Sequence, residues 1–148
     1  MKQDMRVRLV DDDADLLQAQ CQTLRIAGFS PEPFADARSA LDGLTSDYPG
    51  VILSDVRMPY MDGLEFHEKL RTLDPELPVI LLTGHGDVDM AVRAMRNGAW
   101  DFLTKPVSSE TLTNALRRAC HARALVLENR LLRQMAPSAA GTDLLLVN

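Results

Sequence analysis

The chain is predicted to fold as an α/β domain, an open parallel sheet of five strands wound on both faces by helices. Three observations predict this. Short apolar runs alternate five times with amphipathic stretches. Two of the runs, Val51-Ile52-Leu53 and Val79-Ile80-Leu81-Leu82, are uninterrupted aliphatic segments of the kind that strands covered on both faces require. A (βα)5 order also closes by right-handed crossovers into one doubly wound sheet. The length of 148 residues suits one domain and excludes a large multidomain enzyme for this chain. A hydrophobic fraction of 46% with 25% charged residues is a globular balance, not a disordered one. With 16 Lys and Arg against 21 Asp and Glu, the net charge of −5 argues against gripping nucleic acid as the main task, because phosphate neutralisation needs a clustered basic surface.

Each element follows in order. Val7 to Val10 is the first strand, and Asp13 caps a helix carrying Leu17, Cys21 and Leu24 on one face and stopped by Gly28. Pro31 to Phe34 is too rich in proline for a central strand and belongs at a sheet edge. Asp36 caps a second helix with Ala37, Ala40, Leu41 and Leu44 inward. The two aliphatic runs form the sheet centre, separated by a helix over Leu64 to Leu73 that ends before Pro75. Asp87 is expected to cap a fourth helix whose inner side holds Val88, Ala91, Val92 and Met95, with Gly98 as its stop. Trp100 to Thr104 is the fifth strand. From Ser108 a last helix meets no Gly or Pro until Pro137. The arrangement is flavodoxin-like, with strand order 2-1-3-4-5, in which ligands sit at the carboxyl ends of the strands near the switch between the first and third.

Polar groups gather at those ends: Asp11-Asp12-Asp13 after the first strand, Ser54-Asp55 at the third, Thr83-Gly84 at the fourth, Lys105-Pro106 after the fifth. Carboxylates brought to one rim repel each other unless a cation or proton compensates, and hard oxygen ligands suit Mg²⁺. Lys105 offers a point positive charge and Thr83 a hydroxyl donor, both suited to a tetrahedral oxyanion. An Asp after a strand is more often only a cap, as expected for Asp13; the joint placement of these groups is what points to a site.

Over about Arg6 to Ala119 the chain resembles the receiver domains of two-component response regulators. The residues that carry the resemblance are Val10-Asp11-Asp12-Asp13, the Ser54 to Gly63 segment SDVRMPYMDG, the Leu82 to Asp87 segment LTGHGD, and Gly98-Ala99-Trp100-Asp101-Phe102-Leu103-Thr104-Lys105-Pro106. The resemblance implies that Asp55 is the phosphoacceptor, taking a phosphoryl group from a phosphohistidine on a sensor histidine kinase. It implies a Mg²⁺ site of Asp12, Asp55 and the backbone carbonyl of Arg57, with Asp11 acting through water. Lys105 and Gly84 would hold the phosphoryl oxygens, Thr83 would swing toward them, and Phe102 would turn inward behind it as the aromatic switch. Lys105-Pro106 resembles the family's cis peptide. Such a chain is no enzyme in the ordinary sense; it assists its own phosphotransfer and slow dephosphorylation. Asp89 stands where close relatives often carry Pro, and Val107 where they often carry Phe.

The last helix extends the reading. Beyond about Cys120 it is expected to project past the sheet, yet Leu125, Val126, Leu127, Leu131 and Leu132 stay apolar, which points to a second copy of the same helix. Two seams compete, Leu125-Asn129-Leu132 and Ala124-Leu127-Leu131. Arg117, Arg118, Arg123, Arg130 and Arg133 are expected to be a solvated flank of that coiled coil rather than a DNA contact. The expected division is a receiver over 1–121, a helical dimerisation segment over 122–136, and a flexible linker over 137–148 toward a missing output domain. The Leu127 to Arg133 segment resembles the nitrogen-regulatory (sigma-54 activator) type, which implies that DNA and sigma-54 RNA polymerase are met only through missing domains. A receiver with a directly attached helix-turn-helix domain is the alternative. An aspartyl-phosphate, Mg²⁺-dependent phosphatase is disfavoured by Arg57, which stands where such enzymes place a second Asp. His67 on a helix surface, His85 and His121 are expected to be solvated, and Cys21 and Cys120 to be small core fillers. With no signal peptide and no apolar run of membrane-spanning length, a cytoplasmic, non-membrane protein is expected.

Overall fold

The computed structural model describes residues 5–136; the expected linker over 137–148 lies outside them. Five strands, β1 (Arg6–Val10), β2 (Ser30–Phe34), β3 (Gly50–Asp55), β4 (Val79–Thr83) and β5 (Asp101–Thr104), form one parallel sheet in the order β2-β1-β3-β4-β5. Helices α1 (Ala14–Ile26), α2 (Ala37–Leu41), α3 (Gly63–Leu73), α4 (Val88–Arg96) and α5 (Ser109–Met135) connect and cover it. The doubly wound fold is the expected one.

The two faces of the sheet carry separate cores. Val7, Leu9, Val51 and Leu53 pack against Leu17, Cys21 and Leu24 of α1 and Leu112, Leu116 and Ala119 of α5. Val10, Ile52 and Leu81 pack against Ala40 of α2, Phe66 and Leu70 of α3 and Ala94 of α4. Every residue of β3 and β4 is buried, as their unbroken aliphatic runs require, while β2 with its two prolines takes the edge. Asp13, Asp36, Asp62 and Ser108 each cap a helix through the side chain. Both cysteines are free and buried, and burial pushes the Cys120 thiol up to about 11. Among the described residues no helix is long and apolar enough to cross a membrane.

Several expectations are corrected. Helix α2 stops at Leu41, so Leu44 packs from the loop that follows; Gly43, at φ +72°, turns the chain there in a conformation that favours glycine. Helix α4 is rolled so that small Ala91 and Ala94 lie on the sheet, while Val92 and Met95 remain 36% exposed. Asp87 does not cap α4 with its side chain; residues His85–Asp87 form a 3₁₀ turn and the Asp87 carboxylate accepts from Arg57 Nε at 2.7 Å. His67 is buried, at 3% exposure, because α3 turns it inward between Phe66 and Leu70.

The largest correction concerns α5. The helix does not leave the domain at Cys120. Its covered side continues from Leu116 and Ala119 through Arg123, which is only 1% exposed. Arg123 donates from Nε to Tyr48 O at 3.0 Å and from Nη2 to Ser46 O at 3.1 Å, and pairs with buried Asp74 at 2.8 Å. Two turns on, Arg130 reaches Asp74 and Glu76 and, from its other amino group, Asp47 and Ser46 O, all at 2.9 Å. Arg123 and Arg130 are thus packing residues, not a solvated flank. The loops before β3 and β4 rise to meet the helix, which sheet length alone does not reveal. Burial works to raise the Asp74 pKa, but bonds from Arg130, the Glu76 N–H and Arg123 more than offset it and hold the carboxyl below its ordinary value. Breaking such a buried pair by removing one partner costs about 3–5 kcal/mol.

Burial, assisted by Arg71 and opposed by Glu68, lowers the His67 pKa, so the fold favours the neutral ring. Between the unfolded value of about 6.5 and the lower folded value, the unfolded chain binds more protons. This contribution to stability is therefore complete above that range and lost as pH falls through it. Urea midpoints measured from pH 7.5 down to 5 are expected to decline in the parent chain and to decline less in His67→Leu; equal slopes would contradict the assignment.

Candidate functional site

The register of the sheet sets the site. Val10 pairs with Ser54 across β1 and β3, so the next residues on the two strands, Asp11 and Asp55, leave the sheet side by side. Asp12 follows on the same rim, and one oxygen from each of Asp11, Asp12 and Asp55 falls within 4.8 Å of the others. Asp11 is 2% exposed. One of its oxygens accepts from the Asp13 N–H at 2.9 Å; the other, Oδ2, is buried without a hydrogen-bond partner. Burial, with repulsion from Asp55 and Asp12, outweighs the Asp13 N–H and Lys105, and the Asp11 pKa is raised.

Asp55 is more firmly held. Its Oδ1 accepts from the Val56 N–H at 2.9 Å, and its Oδ2 lies 3.2 Å from Lys105 Nζ. Lys105 arrives from β5, its own N–H bonded to Thr83 O at 2.8 Å, and the Lys105-Pro106 peptide is cis as expected. Thr83 is fully buried and its hydroxyl is engaged with Gly84 O at 3.1 Å. Phe102 packs half-buried against the core on the α2, α3 and α4 face. Thus Asp11, Asp12, Asp55 and Lys105 meet at one place, while Thr83, Gly84 and Phe102 line the adjoining loop and strand.

The turn between β3 and α3 keeps Asp55 at the surface of this pocket. The Gly63 N–H bonds to Val56 O at 2.7 Å, and a Cβ on Gly63 would stand 2.9 Å from Val56 Cα and 3.0 Å from Asp55 O. Only glycine allows α3 to begin so close to the backbone of Asp55. Tyr60 projects from this turn at φ 72°, almost wholly exposed. The Arg57 side chain spans to Asp87 at 2.7 Å and so ties the turn to the start of α4. Sequence reasoning missed that pair, because a side chain two residues after an acid and a helix-start Asp each have an ordinary local explanation.

An excess of carboxylate over cation at a rim, with a buried oxygen lacking any donor, fits a divalent ion bound by oxygen ligands.

Residues 7–117 match the family described as the response regulator receiver domain. The chain belongs to that family. This receiver is 52% identical over 134 residues to the C4-dicarboxylate transport transcriptional regulatory protein DctD of Rhizobium meliloti, covering 90% of this chain and 29% of that protein. It is also 52% identical over 128 residues to the DctD protein of Pseudomonas aeruginosa, covering 86% and 28%. Full-length FixJ from B. japonicum superposes with a TM-score of 0.76 at 34% identity, covering 90% of this chain and 66% of that one. The receiver spans less than a third of the length of the two DctD relatives. The family expected from the strand-end motifs is found, and the two DctD matches agree with the nitrogen-regulatory (sigma-54 activator) type expected from the Leu127 to Arg133 segment.

Crowding at Gly63 makes it a sensitive point in the receiver. Gly63→Ala is expected to lower unfolding free energy by about 1–3 kcal/mol, the usual cost of overpacking a tight site. The check is urea denaturation beside Gly86→Ala, whose Cβ would meet nothing within 4 Å; equal losses would show that the approach of α3 to Asp55 is not limiting.

Proposed function

We propose that Asp55 of this receiver accepts a phosphoryl group from the phosphohistidine of a sensor histidine kinase, and that the acyl phosphate controls pairing and output of a sigma-54-dependent transcriptional activator. The observation that carries the reading is the Asp55 carboxylate itself. It is oriented by the Val56 N–H, faced by Lys105 and flanked by two further carboxylates at the end of a parallel sheet. An Asp55 oxygen attacks phosphorus, the phosphorus–nitrogen bond breaks, and the electron pair leaves with the imidazole. Asp12, Asp55 and the Arg57 carbonyl would hold Mg²⁺, with Asp11 acting through water. The ion, when bound, supplies positive charge to phosphoryl oxygens in a loose transition state. Lys105 supplies the rest, and the Gly84 N–H would donate to a phosphoryl oxygen. Thr83 must exchange its bond to Gly84 O for one to the phosphoryl group, and Phe102 then follows it inward. The same groups assist slow hydrolysis of the acyl phosphate.

The receiver over 1–121 and the helical segment over 122–136 would pair with a second copy, in the cytoplasm, the output domain following the linker over 137–148. Leu125, Leu131, Leu132 and Met135 are 54–68% exposed along the last turns of α5, which is the support for pairing. DNA and polymerase contacts would belong to the missing domains. A directly attached helix-turn-helix output is less well supported, because α5 continues in regular helix to Met135.

Incubation with a small phosphodonor and Mg²⁺ is expected to add the mass of one phosphoryl group, to do so only with the metal, and to fail in Asp55→Asn. A gain that survives Asp55→Asn would refute the acceptor assignment. Pairing is better tested by Leu125→Asp with Leu132→Asp than by truncation before residue 122, which would also strip Asp74 of both arginines. The double variant is expected to weaken dimerisation at least about tenfold by sedimentation; an unchanged dissociation constant would place the interface elsewhere.

A further inference from the structure

The structure assigns to Asp74, with Arg123 and Arg130, the role of a phasing clamp that decides which face of α5 is offered to a second copy of this chain. The inference rests on the pairing proposed above and deepens it. The apolar pattern alone leaves two seams open, Leu125-Asn129-Leu132 and Ala124-Leu127-Leu131. A helix advances about 100° per residue, so Leu125 and Leu132 lie about 200° around the axis from Arg123 and Arg130 respectively. Ala124, Leu127 and Leu131 lie within about 100° of the arginines, on the flank of the side that faces the domain. Exposure follows over the first turns and not the last: Leu125 and Leu132 are 54% and 57% exposed and Ala124 and Leu127 half-covered, but Leu131 is 55% exposed, so it is the arginine-anchored rotation rather than exposure that separates the seams.

What prevents the helix from rolling is polar and specific. One buried carboxylate, Asp74, is ion-paired with two arginines spaced two turns apart, at 2.8 and 2.9 Å, and accepts a hydrogen bond from the second. Arg123 and Arg130 are further fastened to Ser46, Tyr48, Asp47 and Glu76. A single bond would let the helix swing about it. Two anchors on one side, seven residues apart, fix both its direction and its rotation. An apolar contact in their place would tolerate a roll of one residue, and such a roll would exchange the seams. Asp74 ends α3, which begins against the backbone of Asp55 and Val56. The clamp therefore joins the outward seam to a helix that starts at the acidic rim.

The test uses disulfide formation in the 148-residue chain, with either Leu125→Cys or Ala124→Cys introduced and buried Cys21 and Cys120 left in place. With the clamp intact, oxidation is expected to link Leu125→Cys pairs much faster than Ala124→Cys pairs. Asp74→Asn and, separately, the milder Arg130→Gln are expected to reduce that ratio about tenfold, whereas Arg130→Lys retains most of it. If Asp74→Asn does not fold, Arg130→Gln decides. An unchanged ratio in the folded variants overturns the clamp while leaving pairing intact. Absence of either disulfide, with a monomer on sizing, overturns the pairing and the clamp with it.

Discussion

Everything at the functional end of this receiver depends on one constraint, the parallel register of β1 against β3. Pairing Val10 with Ser54 makes the two strands end together, so Asp11 and Asp55, 44 positions apart in sequence, emerge as neighbours. Shifting that register by one residue would turn Asp55 to the opposite face, since side chains alternate along a strand. The unbroken aliphatic segments of β3 and β4 hold the register, because both faces are buried and no slip leaves the cores filled. The chemistry of the rim is in that sense fixed by the packing below it.

The sheet carries two charge clusters of opposite character. At its carboxyl end the acidic groups exceed the cations, Asp11 retains an oxygen without a donor, and Lys105 is shared with Asp55. At its amino end Asp74, Asp47 and Glu76 are met by Arg123 and Arg130 in four ion pairs, although Asp74 Oδ2 and Arg123 Nη1 are buried without a hydrogen bond. The first arrangement is costly without a ligand and able to change; the second is closed and holds its geometry. The phosphoryl switch proposed above would need both: groups that respond to an added charge, and a frame that does not yield where the response is delivered. The Arg57 to Asp87 pair stands between these extremes, a short contact made by a side chain that is 72% exposed and therefore screened by water.

The parts of this arrangement that were legible in the sequence are those that depend on local order. Aliphatic runs followed at once by Ser54-Asp55, Thr83 or Asp11 announce strand ends with chemistry on them, and the caps at Asp13, Asp36 and Ser108 follow from the residue types at helix starts. What was not legible depends on partners remote in sequence. Arg123 bonds to a carbonyl 75 positions away and Arg130 to a carboxylate 56 positions away. Viewed locally, both are basic residues on a long helix, indistinguishable from Arg117 and Arg118. A signal was present in their spacing, since Leu112, Leu116, Ala119, Arg123 and Arg130 continue one helical face. Reading that face as apolar only, and stopping it where the sheet should end, made the helix leave the domain too early. His67 was misplaced for the same reason, a polar name standing on a buried face between Phe66 and Leu70.

That error bears on how the extension of α5 should be understood. A helix that merely ran off the domain would be tied to it by its last apolar contact, and thermal bending and rolling would blur any displacement at the acidic rim before it reached Leu132. Anchoring at Arg130 moves the last fixed point about 15 Å further along the axis than Cys120, at about 1.5 Å per residue. The apolar seam and the anchored face then occupy the same turns of helix, one opposite the other. In the proposed switch, movement of the helix relative to the domain would break or re-form ion pairs rather than slide over apolar surface, which would make its response two-state.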